Sequence, residues 1–320
     1  MLSLRSTSTF VALLLSTGCS DGPSEPAPLR DPRGVLLVVR TTGTLESSNI
    51  WVVLPDGSAE RRLTTNSVPD ESPRWSPDGQ RIAFSRPTGF ELKPYGYPSD
   101  IFVMDANGAG QRPLTDGSSH AYSPSWSPDG ARIAFIRHDG ATFRFVVHVM
   151  NADGSGVHAL SSPDAQAGEP EWSPDGSHIV FTSRRPTSGR LALYVMNADG
   201  TDQHELGGGA ACAGDVVTPR WSPDGARIAY ICYVSGAANI EAIGAGGTGV
   251  TPLTPRSSGD YYPDDWSPAW SRDGMQIAFT RFVPGAGTQA WVMSASGGSP
   301  APVTSGSLTS QVSDWGPPTP

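Results

Sequence analysis

The pentapeptide Trp-Ser-Pro-Asp-Gly, followed two residues later by Ile-Ala-Phe or a close variant, recurs along this chain at a near-constant interval. It opens at Trp75, Trp126, Trp172 and Trp221, and at Trp270 with Arg272 in place of the proline; a sixth tryptophan, Trp315, has no such continuation. Successive tryptophans stand 51, 46, 49, 49 and 45 residues apart. Self-similarity at this period marks a repeat architecture in which each unit buries its faces against its neighbours. Ser-Pro-Asp-Gly is turn chemistry: proline presets φ, aspartate tolerates the next position, and glycine takes the positive φ that closes a hairpin. Strand alternation then puts Ile82 and Phe84 on one face and the small Ala83 on the other, a pattern suited to a wedge packed on both sides. A third strand follows (101–104, 146–150, 193–196), then a short outer strand ending in Leu-Thr, as at Leu114-Thr115 and Leu253-Thr254. Four short strands per unit predict propeller blades.

The stretch from Gly34 to Thr64 supplies the second, third and fourth strands of a unit without an opening tryptophan strand. Ser313-Asp314-Trp315 supplies that missing strand, so five complete units and one split unit predict an all-β, six-bladed beta-propeller over residues 34–320, closed by pairing of the chain's two ends. The 37 glycines and 30 prolines fall largely at the turns. The repeated Trp-Ser-Pro-Asp-Gly-x-x-Ile-Ala-Phe resembles the WD40-like repeats of the TolB-type six-bladed propeller, from Gly34 to Pro320. The resemblance implies a binding scaffold that docks proteins or peptides at its channel mouth. The additional N-terminal α/β domain of TolB-type proteins has no counterpart between Cys19 and the first strand.

Residues 1–18 read as an export signal: Arg5 is the only charge, Phe10 to Leu15 form an apolar core, and small residues precede Cys19. Ser16-Thr17-Gly18-Cys19 resembles a lipoprotein processing site, with Ser16 where that pattern prefers leucine. Cys19 is therefore the expected lipidation site, an ordinary secretory signal being the alternative. Residues 19–33 are rich in Ser, Pro, Asp and Glu and read as a flexible tether. These features place the chain outside the cytoplasm, anchored in the bacterial cell envelope, facing the periplasm or the outer surface. Twenty-two basic and 31 acidic residues give a net charge of −9, and loss of Arg5 with the signal leaves −10. That balance argues against nucleic acid, whose backbone is met by clusters of Lys and Arg. A monomer without cofactors is expected.

Repeated residues are read as structural: the six tryptophans, the turn aspartates, and Arg40, Arg86, Arg137 and Arg281, which are expected to fork between adjacent blades. The candidate site lies where the period breaks. The outer-strand position precedes the next tryptophan by 11 residues in four cases, but by 14 before Trp221 and 16 before Trp270. A third insertion, Phe90 to Tyr97, separates two strands of the first complete blade. All three fall on one rim, and rim loops on a rigid ring commonly carry binding residues. The expected partner-binding residues are Tyr95, Tyr97, His120, Tyr122, Asp260, Tyr261, Tyr262, Asp264, Asp265 and Trp266, aromatics supplying area and acids orientation. Cys212 and Cys232 map to the same rim and are a candidate disulfide, two separate thiols being the alternative.

No serine-hydrolase elbow, His-Glu-x-x-His, Cys-x-x-Cys or phosphate-cradling loop occurs, so no catalytic residue is assigned. His120, His138 and Glu169 form the one metal or acid–base grouping the topology would allow. Two functional readings follow: a non-catalytic, lipid-anchored propeller binding an envelope protein or peptide, and a glycan-binding or sugar lyase/hydrolase propeller with its site at the channel mouth.

Overall fold

The computed structural model describes residues 31, 33–41, 48–89, 98–117, 120–138, 144–184, 189–209, 212–234, 236–255, 265–306 and 308–317. They form six four-stranded antiparallel sheets. The innermost strand of each sheet is the tryptophan strand: Glu71–Trp75, His120–Trp126, Ala167–Trp172, Asp215–Trp221, Asp265–Trp270 and Thr309–Gly316. The last of these pairs with Val35–Thr41, setting Leu36 opposite Trp315, so blade 1 is built from both ends of the chain and blades 2 to 6 follow in sequence order.

The repeated turn is held by its own side chains. Ser76 Oγ donates to Asp78 Oδ1 at 2.6 Å and accepts the Arg81 amide at 2.9 Å, while Gln80 N–H donates to the same carboxylate at 3.0 Å. Ser127 with Asp129, Ser173 with Asp175, Ser222 with Asp224 and Ser271 with Asp273 repeat this arrangement.

Packing between blades follows the large/small alternation. Ala83 of blade 2 lies in one cluster with Trp126, Ile133 and Phe135 of blade 3. Ala134 of blade 3 meets Trp172, Ile179 and Phe181 of blade 4, and Ala229 of blade 5 meets Trp270, Ile277 and Phe279 of blade 6. Each of these apolar side chains is almost fully buried, and burial of a single Ile or Phe is worth about 1.5–3 kcal/mol. The core is thus a circle of six interfaces around a central channel.

The arginine forks close mainly within blades, which corrects the expectation for Arg40 and Arg281, whereas Arg137 reaches Asp116 and Arg86 also reaches Asn66 in the connection from the preceding blade. Arg86 Nε donates to Asp70 Oδ1, just before the first strand of its blade, at 2.6 Å, and Arg281 Nε to Asp265 Oδ1, on the first strand of its blade, at 2.7 Å. Arg40 binds Ser310 Oγ and Glu60 in the same way in blade 1. Register is the reason: the arginine stands directly opposite the residue five before the tryptophan, as in Asp265 opposite Arg281.

Closure leaves no room at Gly316. A Cβ there would lie 2.0 Å from Trp75 Cδ1, whereas one at Gly246 meets no atom within 4 Å. Gly316→Ala is expected to cost about 1–3 kcal/mol, read as a lower urea midpoint, with Gly246→Ala close to wild type. The turn aspartates give a second expectation. Serine hydroxyl and backbone hydrogen bonds hold Asp78, Asp129, Asp175, Asp224 and Asp273 below the usual carboxylate range, Asp175 at about 2. Groups depressed in the fold contribute fully above the unfolded value near ~3.9 and lose that contribution as pH falls through the folded value. Urea midpoints should therefore fall between pH 5 and pH 2.5, and fall less steeply in Asp175→Asn.

Candidate functional site

Every tryptophan strand carries one extra residue relative to its partner. In blade 2, Glu71 opposes Ser85 and Arg74 opposes Ala83, so three steps on one strand match two on the other, and the other five blades show the same shift. This is a β-bulge. In blades 2 to 6 the bulged residue is left-handed: Ser72, Ser123, Glu169, Thr218 and Ser267 have φ of 50, 54, 48, 54 and 55°. A proline follows each of them, and proline has no N–H to give to the ladder. The preceding blade supports two of these amides and that of the blade 1 bulge: Ser123 N–H donates to Ser85 Oγ, Thr218 N–H to Glu169 Oε2 and, in blade 1, Val312 N–H to Thr280 Oγ1. The left-handed conformation is costly for a residue with a side chain, and such positions cluster at ligand sites.

All five bulged residues face a central cavity of about 930 Å³. Strand direction arranges its lining in tiers. Nearest the rim that carries the inserted loops stand Glu71, Val217, Trp266 and Gln311, with Tyr233 beside them; the bulged residues form the middle; Arg74, Arg220 and Ser313 form the floor. Among the described residues Glu71 has no hydrogen-bond or ion-pair partner, and the surrounding protein, then the Asp70 charge, raises its pKa.

The floor is an ion network. Arg220 Nη1 donates to Glu171 Oε2 at 3.1 Å, and Arg74 Nη1 to the Ser313 carbonyl at 3.0 Å. Glu171 Oε1 accepts the Trp221 amide of the next blade and Asp314 Oδ2 accepts the Trp75 amide of the next blade, so these carboxylates latch neighbours together. Desolvation, then the Arg220 charge, pushes Arg74 down to about 10. Desolvation raises Glu171 against the opposing pull of Arg220 and Arg74.

The residues expected on the rim divide into four groups. Tyr95, Tyr97, Asp260, Tyr261, Tyr262, Asp264 and the lipidation candidate Cys19 lie outside the described residues. Trp266 lines the cavity. His120 and Asp265 are buried, 5% and 1% exposed, and present no surface to a partner. His120 stacks on His138 with ring centroids 4.2 Å apart, and Asp265 is spent on Arg281. Half-buried Tyr122 packs edge-on against His138 and Phe145, and burial, then the Glu169 charge, raises its phenol. Cys212 and Cys232 are joined by a disulfide, Cα–Cα 5.7 Å. Among the described residues no three His, Cys, Asp or Glu side chains are placed to hold a metal, so His120, His138 and Glu169 do not form such a centre. Arg74, Glu71, Arg220 and Tyr233 were not singled out from sequence, although the fivefold proline two residues before each tryptophan marks the strand segment that carries the first three or their equivalents.

The network gives an expectation of its own. Glu171→Gln leaves two guanidiniums at the floor facing one fewer carboxylate and should lower stability by about 2 kcal/mol in chemical unfolding, with far-ultraviolet circular dichroism unchanged.

Comparison with known proteins fits this architecture. The structure of TolB from Acinetobacter baumannii superposes with a TM-score of 0.71 at 22% identity, covering 90% of this chain and 68% of that one. The Tol-Pal system protein TolB of Gluconobacter oxydans is 34% identical over 102 residues, 32% of this chain and 22% of the relative. The chain thus spans well under two thirds of the length of the curated relatives it matches. An oligogalacturonate lyase in complex with manganese shares the fold at a TM-score of 0.53 and 14% identity, covering 81% of this chain and 71% of that one. The TolB beta propeller domain family matches residues 22–206 and 93–254, and with six blades closed as described the chain belongs to that family.

Proposed function

We propose that this chain is a non-catalytic binding propeller of the bacterial cell envelope, held to a membrane by a lipid on Cys19, that receives a protein or peptide at the mouth of its central channel. The observation that carries this reading is the cavity itself. Its mouth is lined by Glu71, Trp266, Gln311 and Tyr233, which differ from blade to blade within a frame that otherwise repeats. The connections spanning 90–97 and 256–264 join strands that end at the same rim. Serine and threonine hydroxyls of the middle tier can exchange hydrogen bonds with peptide groups, the two aromatics offer contact area, and the unpartnered Glu71 offers a charge. The likeness to TolB, a protein of the Tol-Pal system, supports a protein partner.

A second reading rests on the same mouth. An aromatic face beside a carboxylate and an amide also suits a sugar ring, and a lyase shares the fold. The two readings separate experimentally. Residues 20–320 are used to capture partners from envelope extract, beside a Glu71→Gln/Trp266→Ala double variant, and the captured protein is then purified and titrated. The protein reading expects at least tenfold weaker binding by the double variant. Equal binding by both places the contact elsewhere, and an oligosaccharide held by the wild type alone replaces the protein reading with the glycan one. For the anchor, Cys19→Ser is expected to move the protein from the membrane fraction to the soluble fraction; an unchanged distribution refutes lipidation.

A further inference from the structure

The residue six after the tryptophan is an arginine in three blades, and each of these arginines covers the tryptophan of the next blade. The guanidinium carbons of Arg81, Arg132 and Arg227 lie 4.7, 4.5 and 4.9 Å from the ring centroids of Trp126, Trp172 and Trp270. In the same blades the arginine stands near enough to its own turn aspartate to help hold that carboxyl down. The interface between blades 4 and 5 departs from this pattern. Its sixth residue is His178, and among the described residues no guanidinium covers Trp221.

A cleft of about 580 Å³ occupies this interface, lined by Trp221, Leu206, His178, His204, Asp175 and Asp224. It lies on the rim of the Ser-Pro-Asp-Gly turns, opposite the channel mouth. Its volume is in the range of small-ligand sites. Both aspartates are exposed and fixed by hydrogen bonds from Ser173 and Ser222.

We propose that this cleft binds a guanidinium group brought by another molecule, seated over Trp221 where the chain's own arginines sit in three other interfaces. A guanidinium is planar and weakly hydrated, so it can stack on an indole while its N–H groups reach carboxylates. Asp175 and Asp224 flank the place such a group would take, and the net charge of the chain, −9, favours approach of a cation. This inference stands apart from the proposal for the channel, since the two sites occupy opposite rims.

Calorimetric titration with N-acetyl-arginine-amide tests it, with the citrulline and lysine counterparts as controls and free arginine as a separate arm. The wild type should bind the arginine compound at least tenfold more tightly than citrulline, which has the shape without the charge. Tighter binding of N-acetyl-arginine-amide than of free arginine assigns the group to a peptide, and the reverse order to a free metabolite. His178→Arg fills the cleft from within; it should abolish binding and raise Tm by about 2 °C. Asp224→Asn keeps the turn's acceptor and should weaken binding severalfold, which preserves the test should His178→Arg fail to fold. No binding by the wild type at millimolar ligand, equal uptake of arginine and citrulline, or unchanged binding by Asp224→Asn would overturn the proposal.

Discussion

No blade of this protein can bury its own hydrophobic surface. Phe135 needs Ala83 of the preceding blade, Phe181 needs Ala134, and Phe279 needs Ala229. A large side chain on one face and a small one on the other makes each sheet a wedge, and wedges satisfy one another only if the series returns to its start. That return is made by one strand, Thr309–Gly316, against Val35–Thr41. The ring is therefore closed by ladder hydrogen bonds between chain ends rather than by a covalent link. The absence of a side chain at Gly316, beside Trp75, is part of the closure geometry.

A channel follows from the same constraint, and the bulges shape its wall. A regular inner strand would present alternating side chains to the axis. In blades 2 to 6 the extra residue instead turns one position per strand toward the cavity, in a conformation that residues with side chains seldom adopt. Proline at the next position removes the amide that would otherwise lack a ladder partner. The residue before each tryptophan then falls near the floor, where Glu171 and Asp314 reach the tryptophan amide of the following blade. One backbone device thus builds both the lining of the cavity and a latch between blades.

Much of the fold was legible because it repeats. The tryptophan period, the turn and the Ile-Ala-Phe alternation each recur, and Trp315 without a continuation pointed to the split blade. The arginine forks were misassigned because residues 16 apart, such as Asp70 and Arg86, can face each other only when register is known, and register depends on the bulge. The bulge itself was masked by a sound local rule. A residue before proline favours extended backbone, yet Ser72, Ser123, Glu169, Thr218 and Ser267 are left-handed because hydrogen bonds and packing from the neighbouring blade can outweigh that preference. The site was legible only in part for a related reason. Trp266 was visible as an unrepeated aromatic in an inserted loop, whereas Glu71, Arg74 and Arg220 sit inside the repeat and look structural until their direction is known.

In a ring of equivalent blades, chemistry is most readily read from differences between equivalent positions. The position before the tryptophan is Arg74, Ser125, Glu171, Arg220, Ala269 and Asp314 around the ring, and it supplies the arginines and carboxylates of the channel floor. The position six after it is Arg81, Arg132, His178 and Arg227 in the four blades from 2 to 5, and His178 marks the interface with an open cleft. Packing holds neither position to one residue type: a serine or an alanine stands before the tryptophan where another blade carries a charge, and a histidine or a glutamine stands six after it where others carry arginine. Both positions lie toward the rim of the Ser-Pro-Asp-Gly turns, one facing the axis and one between two blades. The frame of the ring is thus the same in every blade, and what differs at these two positions is charge.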